Sequence, residues 1–318
     1  IHNLRYQGVF DPYIIGDLLN LPYDYYNEEG LKFYDNINIL KAGIVYSDHI
    51  TTVSKSYAHE ITYPYFGENL DGVINKYKDK LTGIVNGIDY DVYSPLTDTN
   101  IPVNFDFKTV SNKKEIKKHV QAKFGLPIDG DIPMISMVTR LADMKGLDLV
   151  EHILAELLEL DIQLVILGTG EHHFENLFRY YQYRFPHKLS ARIYFDQYES
   201  HAIYAGSDLF LMPSLFEPCG LSQLIALRYG TIPIVRQIGG LKDTVTPYNK
   251  FTGEGNGFGF MNYNAHELLF TIKDALDYYH KPDIWLNLME QAMAADNSWE
   301  KSSKEYIKVY ETVLGREI

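Results

Sequence analysis

The sequence holds a single cysteine, Cys219, among 318 residues, so no internal disulfide can form and the chain suits a reducing compartment. Positive charge is scarce: Lys and Arg number 29 against 42 Asp and Glu, a formal balance of −13. Such a balance argues against a nucleic-acid binder, which presents a basic patch that displaces counterions from phosphate. Any anionic ligand must therefore be held locally, against the overall field. No apolar run approaches the roughly 18 residues that a spanning helix needs, so no membrane association is expected. The opening Ile1-His2-Asn3-Leu4 lacks both the charged start and the apolar stretch of a signal peptide. It reads as the tail of a strand running into a loop, in a fragment or processed chain whose beginning is absent. The expected location is cytoplasmic.

Other chemistries are missing too. No His, Cys, Asp or Glu grouping has metal-ligand spacing; His172 and His173 are adjacent and cannot both chelate from one face. No G-x-S-x-G nucleophile elbow is present. Gly168-Thr169-Gly170 invites a dinucleotide reading, but His173 stands where a third glycine is required and no acidic residue closes the next strand. A glycine turn that lets a ligand approach the backbone is left open. Cys219 as a nucleophile lacks a visible histidine partner, and a small side chain against a ligand is the better reading.

What is present is an ordinary soluble composition, 46% hydrophobic and 22% charged, long enough for two domains at about 150 residues each. Tyrosine is abundant, at 26, beside Phe 16 and Trp 2. Its flat face and hydroxyl suit sugars, although it packs cores equally well.

Residues 1–40 are broken by Gly8, Pro12, Gly16, Pro22 and Gly30 and read as loops and short helices. A short helix is expected over Ile37–Ile44, a strand over Asp48–Val53, a helix capped by Ser54, and a strand over Lys80–Asn86. Residues 90–100 have the texture of a linker. Beyond it, strand and helix alternate. A basic helix, Lys113–Phe124, leads to the strand Pro133–Val138, and apolar residues at helical spacing fill Gly146–Leu160. Strands follow at Ile162–Leu167, Ala191–Phe195, Leu209–Met212 and Ile232–Val235, with helices at Phe174–Arg184, Ser200–Ala205 and Leu221–Tyr229. A turn-rich stretch then gives way to helices from Ala265 onward. Apolar strands alternating with helices predict an α/β fold, a parallel sheet covered on both faces.

In such sheets ligands bind outside the carboxyl ends of the strands. Arg140 and Lys145 follow one strand and lie close to a helix start at Gly146. Two fixed cations there can neutralise a diphosphate in place of a metal ion, or merely cap surface carbonyls and pair with acids. Phe216-Glu217-Pro218-Cys219-Gly220-Leu221 places a carboxylate and a rigid turn before a helix, pointing Glu217 into the strand-end cleft. Gly239-Gly240 permits close backbone approach or is a plain turn.

Taken together, these segments resemble the bacterial glycogen synthase and plant starch synthase family, retaining glucosyltransferases that use ADP-glucose. The matching stretches are 1–8, Lys41-Ala42-Gly43-Ile44, Thr51-Thr52-Val53-Ser54, Gly83–Asp89, Arg140-Leu141 with Lys145-Gly146, Phe216–Leu221 and Ile238-Gly239-Gly240-Leu241. The resemblance implies the GT-B architecture, two Rossmann-like domains facing across a cleft. Residues 1–89 would be the latter part of the N-terminal domain, 90–297 the nucleotide-sugar domain, and 298–318 a helix crossing back to the first. The family's glycine-rich lysine loop is not in this sequence.

Carried over by resemblance, Arg140 and Lys145 hold the ADP diphosphate and stabilise the leaving group, and Glu217 binds the donor glucose. Cys219, Gly220 and Leu221 line the glucose and phosphate site. From their place after strands, and not from the resemblance, Gly168, Thr169, Gly170, Gly239 and Gly240 are expected as further substrate contacts. His2 faces the sugar from the opposite domain, Asn86 touches it, and Phe195 stands where an aromatic ring stacks on adenine. Related families carry a second glutamate eight positions after the first, where Ile225 stands here. The implied partners are ADP-glucose and an α-1,4-glucan such as glycogen or starch, with no metal and no cofactor. Two other functions are kept: a nucleotide- or glucan-binding fragment without turnover, and a GT-B transferase using UDP-glucose.

Overall fold

A computed structural model describes residues 1–317. The described residues divide into two compact units, one of residues 1–86 with 302–317 and one of residues 87–301.

The first unit contains β1 (Val9–Phe10), α1 (Ile14–Asp17), β2 (Lys32–Phe33), β3 (Asn36–Asn38), α2 (Ile39–Tyr46), β4 (Ile50–Thr52), α3 (Lys55–Glu60), α4 (Asp71–Lys76) and β5 (Leu81–Gly83). The loop-and-helix reading of residues 1–40 is corrected here. β1, β3 and β2 form a three-stranded antiparallel sheet, with Phe10 and Lys32 both opposite Ile37. Strands of two or three residues leave no period-two signal between Gly and Pro breaks, but Ile37 buries completely beside Ile15 and Leu31. The helix expected from Ile37 starts later, at Ile39, because Asn38 belongs to β3 and its side chain accepts from the Lys41 amide at 2.9 Å. Ser54 caps α3 as expected, accepting from the Tyr57 amide.

β4 and β5 pair in parallel. The Ile1 amino group donates to Thr51 O at 2.6 Å and Thr52 Oγ1 donates to Ile1 O at 2.9 Å, so the chain start runs beside β4.

The second unit is built on α5 (Lys113–Phe124), β6 (Met134–Val138), α6 (Leu147–Glu159), β7 (Gln163–Leu167), α7 (His172–Arg184), β8 (Leu189–Arg192), α8 (Gln197–Gly206), β9 (Leu209–Met212), α9 (Ser222–Arg228), β10 (Ile232–Arg236), α10 (Gly239–Thr244), β11 (Phe258–Phe260), α11 (Ala265–Tyr279) and α12 (Pro282–Ala294). The last helix, α13 (Trp299–Leu314), belongs to the first unit from Ser302. All pairings in the six-stranded sheet are parallel, in the order β8-β7-β6-β9-β10-β11. Counted within this unit the order is 3-2-1-4-5-6, a doubly wound sheet that reverses direction between β6 and β9.

The apolar face of α6 explains its docking: Leu147, Val150, Ile153, Leu154, Leu157 and Leu158 all bury in the main core beside Ile135, Leu164, Ile166 and Leu268. α5 matches its expected span and ends at Gly125 in the left-handed region, φ 73°. Two of its lysines are not solvated. Lys113 and Lys117, one turn apart, turn inward at the amino edge of the sheet.

Two further expectations need correcting. The strand expected over Ala191–Phe195 lies at Leu189–Arg192, anchored by Leu164 N to Lys188 O at 2.7 Å and Gly168 N to Arg192 O at 3.0 Å. The turn-rich stretch before Ala265 holds β11, a three-residue edge strand too short for any periodicity.

Candidate active site

The reversal between β6 and β9 splays the chain at their carboxyl ends, where the loops leave in opposite directions. A cavity of about 60 Å³ lies there, lined by Thr139 and Lys145 after β6, Met212 and Ser214 at the end of β9, and Glu217, Gly220, Leu221 and Ser222. The loop after β6 folds into a single 3₁₀ turn, Asp143–Lys145, and leaves it through Gly146 at φ 71°. A side chain is excluded there: a Cβ on Gly146 would sit 2.0 Å from Pro213 O. The glycine therefore lets the Lys145 loop lie directly on the loop after β9. Leu215 N completes the contact by donating to Met144 O at 3.0 Å.

This contact brings together residues 72 apart in sequence: Lys145 Nζ donates to Glu217 Oε2 at 2.7 Å. Ser214 Oγ donates to the same oxygen at 3.1 Å. The carboxylate is nearly enclosed, at 8% side-chain exposure, while Lys145 keeps 20%. The ammonium has three donors. Among the described residues only Glu217 takes one. Gly240 N donates to Glu217 O at 3.1 Å, fixing the backbone as well.

Other residues singled out by sequence sit around this pair. Arg140 is exposed, and its guanidinium reaches only the Met144 sulfur, at 3.8 Å, among the described residues. Cys219 is buried, and its carbonyl accepts from Gln223 Nε2 at 3.0 Å. Gly220 begins the turn into α9 and Leu221 is half-exposed beside it. Gly239 and Gly240 open α10, and a Cβ on Gly240 would lie 2.1 Å from Cys219 O.

The glycines after β7 serve packing. A Cβ on Gly168 would lie 1.8 Å from Thr139 O, and one on Gly170 2.1 Å from Leu141 O. These close approaches extend the β6–β7 ladder through Leu141 N to Thr169 O at 3.0 Å. Thr169 Oγ1 and Gly170 N both donate to Glu175 Oε1, at 2.7 and 3.1 Å, and hold its carboxyl below the usual carboxylate range. Phe195 lies beyond β8 and is 76% exposed. His2, exposed, and Asn86, half-buried, belong to the first unit, at the carboxyl edge of its β4–β5 pair. Sequence reasoning missed Ser214, because nothing local marks a hydroxyl that serves a carboxylate three residues later.

A family model described as Glycosyl transferases group 1 matches residues 119–287, more than half of the chain. The chain belongs to that family. A second model, Starch synthase catalytic domain, matches residues 1–76. Among curated members, the glycogen synthase of Bacillus cereus (strain Q1) is 53% identical over 314 residues, covering 99% of this chain and 66% of that protein. The glycogen synthase of Clostridioides difficile (strain 630) is 51% identical over 313 residues, covering 98% of this chain and 65% of that one. The chain thus spans just under two thirds of the length of these relatives. Among solved structures, the catalytic domain of starch synthase IV from Arabidopsis thaliana, bound to ADP and acarbose, matches with a TM-score of 0.93. It is 34% identical, and the match covers 99% of this chain and 66% of that one. The group 1 transferase fold seen here is accordingly α/β of the GT-B class. Among the described residues, no helix is long and apolar enough to cross a membrane.

Proposed function

We propose that this chain carries the donor-binding part of a cytoplasmic, retaining glucosyltransferase that moves glucose from ADP-glucose to the non-reducing end of an α-1,4-glucan. One observation carries the reading: Lys145 and Glu217 meet at 2.7 Å in a cavity at the switch point of the sheet, with ammonium donors left over. A starch synthase relative bound to ADP and acarbose and glycogen synthases above 50% identity support the substrate class.

The chemistry follows from charge. Breaking the bond between glucose C1 and the diphosphate oxygen builds negative charge on departing ADP and positive charge on the sugar ring. Lys145, with the exposed Arg140 of the same loop, opposes the first charge, and preorganised cations are worth most where water is excluded. Glu217 holds Lys145 in place and positions the sugar without forming a covalent bond. The glucan hydroxyl attacks C1 from the face that ADP leaves, and its proton passes to the departing phosphate oxygen. The reading calls for no metal and no cofactor, since ADP-glucose is a substrate. Phe195 stacks on adenine, and the roles of His2 and Asn86 rest on the resemblance and on their place at strand ends.

The test is ADP release from ADP-glucose with glycogen, for this chain and for one extended upstream. Turnover by either is expected; its absence from both removes the reading. ADP binding by this chain with turnover only in the longer one makes this chain the binding part alone. Competition between ADP and UDP separates the donor classes. Lys145→Ala is expected to weaken ADP binding by about ten- to a hundredfold in calorimetry, since a charge-assisted contact is lost. Unchanged affinity counts against the assignment.

A further inference from the structure

Arg236 ends β10 at the same edge of the sheet and is not among the residues lining the cavity. Its Nη1 donates to Leu215 O at 2.9 Å, its Nε donates to Met261 O at 3.3 Å, and its guanidinium lies 5.3 Å from the centre of the Tyr263 ring. The Tyr263 hydroxyl donates to Asp148 Oδ1, in the first turn of α6. Leu215 is therefore gripped from both sides. Its amide donates to the Met144 carbonyl of the Lys145 loop, and its carbonyl accepts from Arg236. It also follows Ser214, whose hydroxyl donates to Glu217.

We propose that Arg236 is a positioning residue: by holding the Leu215 carbonyl, it fixes the 213–217 turn against the Lys145 loop and so sets the Lys145–Glu217 geometry. The fork of the guanidinium matters. Its rigid plane holds two carbonyls at one fixed separation, which the single ammonium of a lysine does not reproduce. Tyr263 completes the clamp, its ring under the guanidinium and its hydroxyl on the helix that begins two residues after Lys145. Without Arg236, the Leu215 carbonyl loses its charged donor, and the start of the turn keeps the Leu215 amide bond to Met144 while its far end stays tied at Glu217. The effect on turnover rests on the function proposed above; the clamp does not.

The experiment compares the full chain with Arg236→Ala and Arg236→Lys by amide hydrogen exchange, alongside ADP-release kinetics. Amides of residues 214–217 are expected to exchange about tenfold faster or more in both variants, with the interiors of β6 and β9 unchanged. The kcat is expected to fall by about ten- to a hundredfold, because displacements near 1 Å cost that much, with KM for ADP-glucose within about threefold. Unchanged exchange over 214–217 overturns the proposal. So does loss of protection across the whole sheet, which makes Arg236 a determinant of folding, and so does recovery of both readouts by lysine. If no version of the chain turns over, the function reading fails while the exchange data still decide the clamp.

Discussion

At the amino edge of the six-stranded sheet, Lys113 is enclosed and gives three hydrogen bonds, to Ala205 O at 2.6 Å and to Tyr229 O and Thr231 Oγ1 at 2.9 Å. Beside it Lys117 pairs with Asp208 at 2.7 Å and donates to Gly130 O, Ile132 O and the Tyr279 hydroxyl. At the carboxyl edge Lys145 keeps part of its side chain in solvent and meets one carboxylate among the described residues. Both edges hold lysine at least partly withdrawn from water, where charge must be compensated. The difference lies in what is left over. A lysine whose donors are all spent inside the fold supports structure; one with spare donors at a strand exit is arranged for something that arrives. This contrast, more than burial alone, separates the architectural charges from the candidate chemical ones.

The largest effect should come from the carboxyl edge. Glu217→Ala is expected to lower turnover by about a hundred- to a thousandfold, the size seen when one preorganised electrostatic group is removed. The melting temperature should move far less in proportion. If stability collapses with activity, the carboxyl edge is architectural too and the contrast breaks.

At the amino edge the expected signature is pH-dependent stability. Burial pushes the Lys113 amine down to about 7 from its ordinary 10.5, although Asp208 pulls the other way. Between these values the unfolded chain carries the proton that the folded chain has shed, so stability climbs with pH. Relative to Lys113→Met, which cannot titrate, the native chain should gain about 2 kcal/mol between pH 7 and 9. Melting curves across that range check this; a constant gap between the two proteins would mean that the ammonium persists.

The smallest effect belongs to Phe195→Ala. Its exposed ring contributes little to folding, so the melting temperature should stay put while ADP affinity falls about two- to tenfold, the worth of one stacking contact. Equal ADP affinity in titration calorimetry would leave that ring without a part in donor binding.

Much of the second unit was legible because its signals are local. α5 and β9 fall where periodicity and apolar runs put them, and β6, β7 and β10 shift by a residue. Motifs after strands likewise drew attention to Lys145 and Glu217, which the fold brings within 2.7 Å of each other at one strand exit. Strand order was not legible from the pattern alone, because pairing β6 with β9 skips β7 and β8 and leaves no local trace. The same limit hid Ser214 and Arg236: a hydroxyl and a guanidinium declare their roles only once distant loops are adjacent. The glycines after β7 also lie against the backbone of the loop after β6, a packing role that sequence spacing does not reveal. In the first unit, the β1–β3–β2 sheet escaped notice because its strands are shorter than one period of alternation needs.

The place of β9 beside β6 has a temporal consequence. A nascent chain emerging from the ribosome completes β6, β7 and β8 before Leu209 exists, so it has one wall of the pocket and no opposite wall. The contact between the Lys145 loop and the loop after β9 must therefore await a late, long-range closure of the sheet, and such closures are slow. The moment when Lys145 first finds Glu217 is a natural clock for the completion of this unit.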